Sequence, residues 1–286
     1  MKAPALSCLV GLLMGGCATN QPTQTWPRTG DPIVDGRAAI EHGPKRDKVL
    51  WQYRTAAAAM RRGQFAVAKE LLDDALLTLG GIYGTDKDAK RARSYFSAEA
   101  RKTFIGEPYE RVMAYYYRGI LYWMDGELDN ARACFRSARF VDSDAENKEY
   151  SGDYVLLDYL DGLATAKLNG DGSDALKRAR SLAKMAKPPD YEPKANALFF
   201  VEFGNGPTKY ATGQYHEELR FRAGNSTVRA VRLKADSQSA RADAYDDLTY
   251  QATTRGGRVM DHILANKAVF KSTTDTIGDE IGRAHV

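Results

Sequence analysis

The chain has 286 residues, 43% of them hydrophobic and 27% charged, with a mean hydropathy of −0.48. That balance excludes a disordered chain and a polytopic membrane protein, and the length suffices for one large or two small domains with real cores. A net charge of +4, from 41 basic and 37 acidic residues, is too small an excess to point to nucleic acid, and three Cys with four His are thin material for a metal site.

The N-terminus reads as an address. Residues 1–17, MKAPALSCLVGLLMGGC, begin with the basic Lys2, continue with an apolar run from Leu6 to Met14 too short to span a bilayer, and end in Gly15, Gly16 and Cys17. Small residues suit a narrow peptidase site, and the thiol suits thioether attachment of diacylglycerol. The run resembles the bacterial lipobox, with Met14 where leucine is commoner; the alternatives are an ordinary signal peptide or an uncleaved anchor. The expectation is that residues 1–16 are removed and that Cys17 carries lipid. Cleavage also removes Cys8, so Cys134 is left as the free thiol. Beside Phe135 in an apolar helical pattern, it reads as a small buried hydrophobe. Ala18, where an Asp is absent, resembles proteins sorted to the outer membrane, which implies lipid anchoring on its periplasmic face. Residues 17–45 read as the lipidated Cys and a flexible tether, with Pro22, Pro27 and Pro32 and little apolar periodicity.

A repeat occupies residues 46–188. Tyr115, Arg118, Gly119, Tyr122, Gly126, Leu128, Ala131, Phe135 and Ala138 follow one another at spacings that resemble the tetratricopeptide (TPR) pattern. Gly119 lets two helices approach, Gly126 ends the first helix in a tight turn, and Ala131 and Ala138 are small where the paired helices touch. Phe135 is expected to fill the gap between repeats. A second copy uses Ala56, Ala59, Gly63, Phe65, Ala68, Leu72 and Ala75. A weaker third uses Gly162, Gly170, Ala175 and Ala179, with an extra residue in its turn and Pro188 as its stop. The turn glycines stand 63 and 44 residues apart. A regular array repeats every ~34. The array is therefore interrupted, and Lys87 to Phe104 reads as an inserted helix with a solvated basic face.

Three residues before Ala56, Gly119 and Gly162 stand Tyr53, Tyr116 and Tyr159. In a TPR fold this place lines the groove, so the three form a candidate ladder, extended by Met60, Met113 and Trp123. Tyrosine rings bury much area and still present a hydroxyl, which suits recognition of a peptide or sugar. The competing readings fill the groove with a later segment of the chain itself, or make the tyrosines part of the core. On the groove reading, Tyr116→Ala is expected to keep the fold soluble and lose partner binding.

Residues 189–280 read as a small β-rich (α+β) unit packed on the repeats. Ala197–Phe203 (ALFFVEF) is an apolar run fit for a buried strand; Gly204 to Pro207 is a turn; Val228–Leu233 and Leu248–Thr253 are further strands; Gly256-Gly257 is a turn, and Met260–Ala265 a short helix. There is no P-loop. Asn169 to Asp174 lacks the distal Glu of a calcium loop and reads as a helix–helix turn, and His216 with Glu217 and Glu218 reads as surface. No cofactor, metal ligand or catalytic residue is expected, and no enzymatic activity.

Gly106 to Tyr117 (GEPYERVMAYYY), Ala131 to Phe135 (ARACF) and Tyr250 to Arg258 (YQATTRGGR) are similar to blocks of an uncharacterised family of Gram-negative TPR-like periplasmic lipoproteins. The resemblance covers most of the chain from about residue 46. It implies, through gene neighbourhood with a lipoprotein that activates penicillin-binding proteins, a link to cell-envelope assembly, and it carries over no catalytic residue. Members continue past Val286, so the β-rich unit is expected to be incomplete. Ile281 to Val286 (IGRAHV) back-translate as ATC GGA AGA GCA CAC GTC, a common short-read sequencing adapter that continues into a TGA stop. Residues 281–286 are therefore expected to be adapter read-through, which the source nucleotides decide. The combined expectation is a mostly α protein, a TPR-like array followed by the small β-rich unit. It would act as a lipid-anchored scaffold binding proteins of the cell envelope, touching the membrane through the lipid on Cys17, with no nucleic-acid partner. The alternative is a peptidoglycan- or glycan-active enzyme with its site in the β-rich or missing C-terminal part.

Overall fold

Asp31 opens the first helix. Its carboxylate accepts from the N–H groups of Ile33 at 2.7 Å and Val34 at 3.2 Å, two of the donors a helix start leaves unpaired, and Pro32 supplies a preset first turn. The structure is a computed structural model; it describes residue 26 and residues 28–82, 103–142, 153–212, 218–236 and 238–253. Helix α1 (Pro32–His42) thus lies inside the stretch read as tether, with Ile33 and Ala39 buried. A 3₁₀ turn (Lys45–Asp47) leads into α2 (Lys48–Arg61) and α3 (Phe65–Ile82), followed by α4 (Pro108–Met124), α5 (Leu128–Asp142), α6 (Val155–Lys167) and α7 (Ser173–Leu182). The described part of the chain is mostly helical, with a small two-hairpin strand region and a last short helix, α8 (Leu248–Thr253). No helix among the described residues is long and apolar enough to cross a membrane.

The six middle helices pack as three consecutive hairpins, α2/α3, α4/α5 and α6/α7. The first two turns share one geometry. Gly63 and Gly126 sit at φ +69° and +80°, and the following N–H reaches back to Ala59 and Tyr122 at 2.9 Å, closing the helix ends. In the third turn Asn169, at φ +61°, takes that position and Gly170 donates to Thr165 O at 2.9 Å; Asn tolerates the left-handed region, so Gly170 is not the equivalent of the other two glycines.

Close approach within the second hairpin requires Gly119. A Cβ there would stand 2.5 Å from Cε1 of Phe135, whose ring lies fully buried against the bare backbone. Phe135 therefore seals its own hairpin rather than the gap to the next. Ala59, Ala68, Ala75, Leu121, Ala131, Ala138 and Ala179 complete the dry interior. A fully buried Leu or Phe contributes ~2 kcal/mol, and the alanines contribute by letting the backbones meet.

Each hairpin junction is also pinned by an Arg–Asp contact. Arg118 forks onto Asp73 at 2.6 and 3.0 Å, linking α4 to α3. Arg139 and Arg136 reach the buried Asp158 and Asp161 at 2.6 and 2.9 Å, linking α5 to α6. Arg178 of α7 also donates to Asp158, at 2.8 Å.

After α7 the chain departs from the expectations above. The helix stops at Leu182, before Pro188. Ala197–Phe203 is not a strand: it runs extended and unladdered across the helices. Two antiparallel hairpins follow, β1 (Thr208–Thr212) with β2 (Glu218–Arg222), and β3 (Ala230–Ala235) with β4 (Gln238–Asp243), each a separate two-stranded sheet. The strand read at Val228–Leu233 overlaps β3, while Leu248–Thr253 is helix α8, because Asp247 accepts from Thr249 N–H at 2.8 Å and starts a helical turn. A lone hairpin is marginal in water. The first is held on the N-terminus of α4 by Phe221 edge-on to Tyr109 (6.0 Å between centroids) and by Lys209 Nζ at 2.6 Å from Glu110. Residues 1–16, Cys17, most of Lys87–Phe104, His216, Glu217, Gly256-Gly257, Met260–Ala265 and 281–286 lie outside the described residues.

Candidate functional site

The tyrosines of the first helix of each hairpin are each met by a different later stretch of the chain. Tyr53 of α2 is half-buried and meets Phe104 edge-on, with centroids 6.3 Å apart. Tyr116 of α4 is buried under Phe200, whose ring meets it edge-on at 6.4 Å and 77°. Tyr159 of α6 is buried with Tyr245 close by. Burial pushes the hydroxyls of Tyr116 and Tyr159 above the ordinary tyrosine range, so neither ionises in any physiological setting. Met60 and Met113 are partly buried at the edge of the same cluster. Trp123 tilts against Phe135 at 6.4 Å and belongs to the hairpin interior rather than to an open groove.

The cover over α4 is the extended segment from Tyr191 to Glu202, here termed the strap. Lys167 Nζ, at the end of α6, donates to Ala195 O at 2.7 Å and stands 5.9 Å from the ring centre of Tyr191. Leu198 and Phe200 point inward onto the tyrosine cluster, while Phe199 between them is 63% exposed, the alternation of an extended chain. Tyr117 Oη then donates to Glu202 Oε2 at 3.2 Å. Glu202 is an exposed residue whose carboxyl turns inward. Burial there pushes it upward, and the Tyr117 hydroxyl and the Arg61 charge at the end of α2 pull it back. The strap therefore runs from the end of α6 onto α4, and its Glu202 carboxylate there lies within electrostatic reach of Arg61 at the end of α2.

This geometry changes what Tyr116 can report. A ring buried among Val112, Ile120 and Phe200 is part of the core, and truncating such a residue costs ~3–5 kcal/mol through lost contacts and a cavity. Tyr116→Ala is therefore expected to damage the fold, where the groove reading expects it to stay intact. The partners that sequence reasoning missed are Tyr117, Lys167, Leu198, Phe200 and Glu202. The one available signal was the period-2 placement of Leu198, Phe200 and Glu202.

A second inward contact holds the end of the described chain. Asp246 accepts from the N–H groups of Val155 at 3.1 Å and Leu156 at 2.7 Å, capping α6 from 91 residues away, where Tyr154 at the N-cap supplies no side-chain bond. Burial, then the nearby carboxylates of Asp153 and Asp142, push Asp246 up to about 7, against the pull of the two N–H donors. Cys134 sits in the α4/α5 hairpin with its thiol pushed up to about 11 by burial, a hydrophobe rather than a nucleophile. Asn169 to Asp174 is a helix–helix turn in which Asp171 accepts from Ser173 N–H at 2.9 Å, and no cluster of metal-ligating side chains occurs among the described residues. No family model, curated protein or solved structure matches the chain.

Proposed function

We propose that the chain is a lipid-anchored periplasmic scaffold, a TPR-like array that holds a protein of the cell envelope against its tyrosine face. The observation that carries this reading is the threaded array. Three helical hairpins repeat a left-handed turn at Gly63, Gly126 and Asn169 and place a small residue at Ala56, Gly119 and Gly162, and an extended peptide segment lies over the first helices of the third and second, α6 and α4. Arrays of this kind present long surfaces suited to extended chains, and aromatic floors bind such chains without demanding one sequence. Anchoring is supported by Lys2, the apolar run to Met14 and Cys17. Attachment to the outer membrane through that lipid would keep the array close to envelope-assembly machinery.

The test is photo-crosslinking in intact cells from exposed positions flanking the strap, with parallel fractionation of Cys17→Ala. One envelope protein crosslinked reproducibly, and release of the Cys17→Ala chain from membranes, are the expected results. A saturable activity of the purified chain on cell-wall material, with no crosslinked protein, would replace the scaffold with the enzyme reading.

A further inference from the structure

The strap has the features of a ligand rather than of a core element. It makes no ladder with any strand, and among the described residues the backbone–backbone bonds nearest to it are at its two ends, Ala195 N–H to Glu192 O and Asn205 N–H to Asn225 O. Between those ends, among the described residues, it is held chiefly by two inserted side chains, Leu198 and Phe200, one carboxylate at Glu202, and one Lys167–carbonyl bond at its start, with Val201 and Phe203 half-buried. The intervening Phe199 faces outward. Pro188 and Pro189 precede it, Pro193 lies near its start, and Gly204 to Pro207 follow it, so both flanks are turn-forming sequence that can redirect the segment without breaking a helix. Segments held by few buried contacts open at a fraction of the global cost.

Resting on the scaffold reading, we propose that the strap is a built-in occupant of the partner site. It gates access, and the partner enters as an extended peptide of the same chemistry: an apolar residue, an aromatic residue two positions on, and a carboxylate two beyond that. The groove selects this pattern by physical means. Tyr116 offers its ring edge-on to an aromatic side chain, Tyr117 Oη donates to a carboxylate, Arg61 adds positive charge at that end, and Lys167 takes a main-chain carbonyl at the other. An intramolecular occupant competes at an effective concentration of about a millimolar. The closed chain therefore binds a free peptide weakly, and release of the strap is the step that switches it on.

The experiment uses the full chain and a fluorescein-labelled peptide carrying residues 195–204. The double variant Leu198→Ser/Phe200→Ser loosens the strap and leaves the groove intact. Fluorescence anisotropy should show this variant binding the peptide at least tenfold tighter than the unaltered chain does. A peptide with Ser at the position of Phe200, or Lys at that of Glu202, should lose tenfold or more. Equal binding of a scrambled peptide overturns the proposal, as does a folded variant that binds nothing. A variant that loses its helical signal makes the strap part of the core and overturns it too. Hydrogen exchange on the unaltered chain gives a second reading: protection of the amides of 197–203 equal to that in the middle of α4 refutes gating. Light scattering that finds straps exchanged between two chains would assign the groove to a second copy. Because the purified chain and a synthetic peptide suffice, failure here is separate from failure to find a partner in cells.

Discussion

Asp246 makes the docking of α8 depend on pH, with a sign opposite to that of most carboxylates. Its folded value stands at about 7, raised by burial and by the carboxylates of Asp153 and Asp142 that face it, while Tyr116 lies within electrostatic reach. An unfolded Asp titrates near ~3.9. A group raised on folding binds more protons in the native state, so its contribution is most favourable below ~3.9 and is lost as pH rises to about 7. Integrated between pH 5 and 7.5, a shift of that size removes about 2 to 3 kcal/mol. Urea unfolding of the full chain followed by circular dichroism across that range should show the loss, and Asp246→Asn should flatten it by keeping the site uncharged. Carboxylates held down by hydrogen bonds act the other way. Asp31 and Asp35 are held low, chiefly by Arg62 and by the Thr29 N–H, and their contributions vanish as pH falls below the usual carboxylate range. The stability maximum is therefore expected near pH 5. An unchanged slope between pH 5 and 7.5 in Asp246→Asn would refute the assignment.

Three further perturbations test the packing. Gly119→Ala gains ~1 kcal/mol of helix propensity but drives a methyl to 2.5 Å from Phe135, and overpacking of that kind costs ~1–3 kcal/mol. Net destabilisation by urea unfolding is expected, whereas Gly80→Ala, with no atom within 4 Å, should stabilise; stabilisation at both sites would contradict the close approach. Asp158→Asn removes the charge shared by Arg139 and Arg178. With both guanidinium groups a third or more exposed, the cost should be about 1–3 kcal/mol and should persist in high salt; an effect abolished by salt would make it a surface pair. With its thiol pushed up to about 11, Cys134 in the native chain should alkylate at pH 8 about a hundredfold slower than in urea, read by peptide mass spectrometry; rapid native labelling would place it at the surface.

The hairpin array was legible because its determinants are local. A glycine three residues after a helix face, an alanine at each crossing and a left-handed turn are written within a few positions of one another. Helix α1 was equally local, signalled by Asp31-Pro32, but the surrounding Pro and Thr disguised it. Ala197–Phe203 was misread for a different reason: an apolar alternating run reports which side chains are buried, not whether the backbone finds a ladder partner, and here the burying surface is tyrosine. Of the four described strands only β3 was read, at Val228–Leu233; the others escaped notice because strands such as Gln238–Asp243 carry little apolar alternation. Covering of Tyr116 by Phe200 and capping of α6 by Asp246 join residues far apart in sequence, and no short-range pattern encodes them.

The strap also bears on how the chain folds. Stacked hairpins that touch their neighbours alone can gain stability piece by piece, so such arrays fold from any starting point. A segment that returns from beyond the third hairpin to Tyr117 and Arg61 joins the last-made part to the first. During synthesis the early hairpins can form as they emerge, yet the aromatic floor stays uncovered until residue 202 is available. A nascent or truncated chain would therefore expose its most adhesive surface until the strap closes over it.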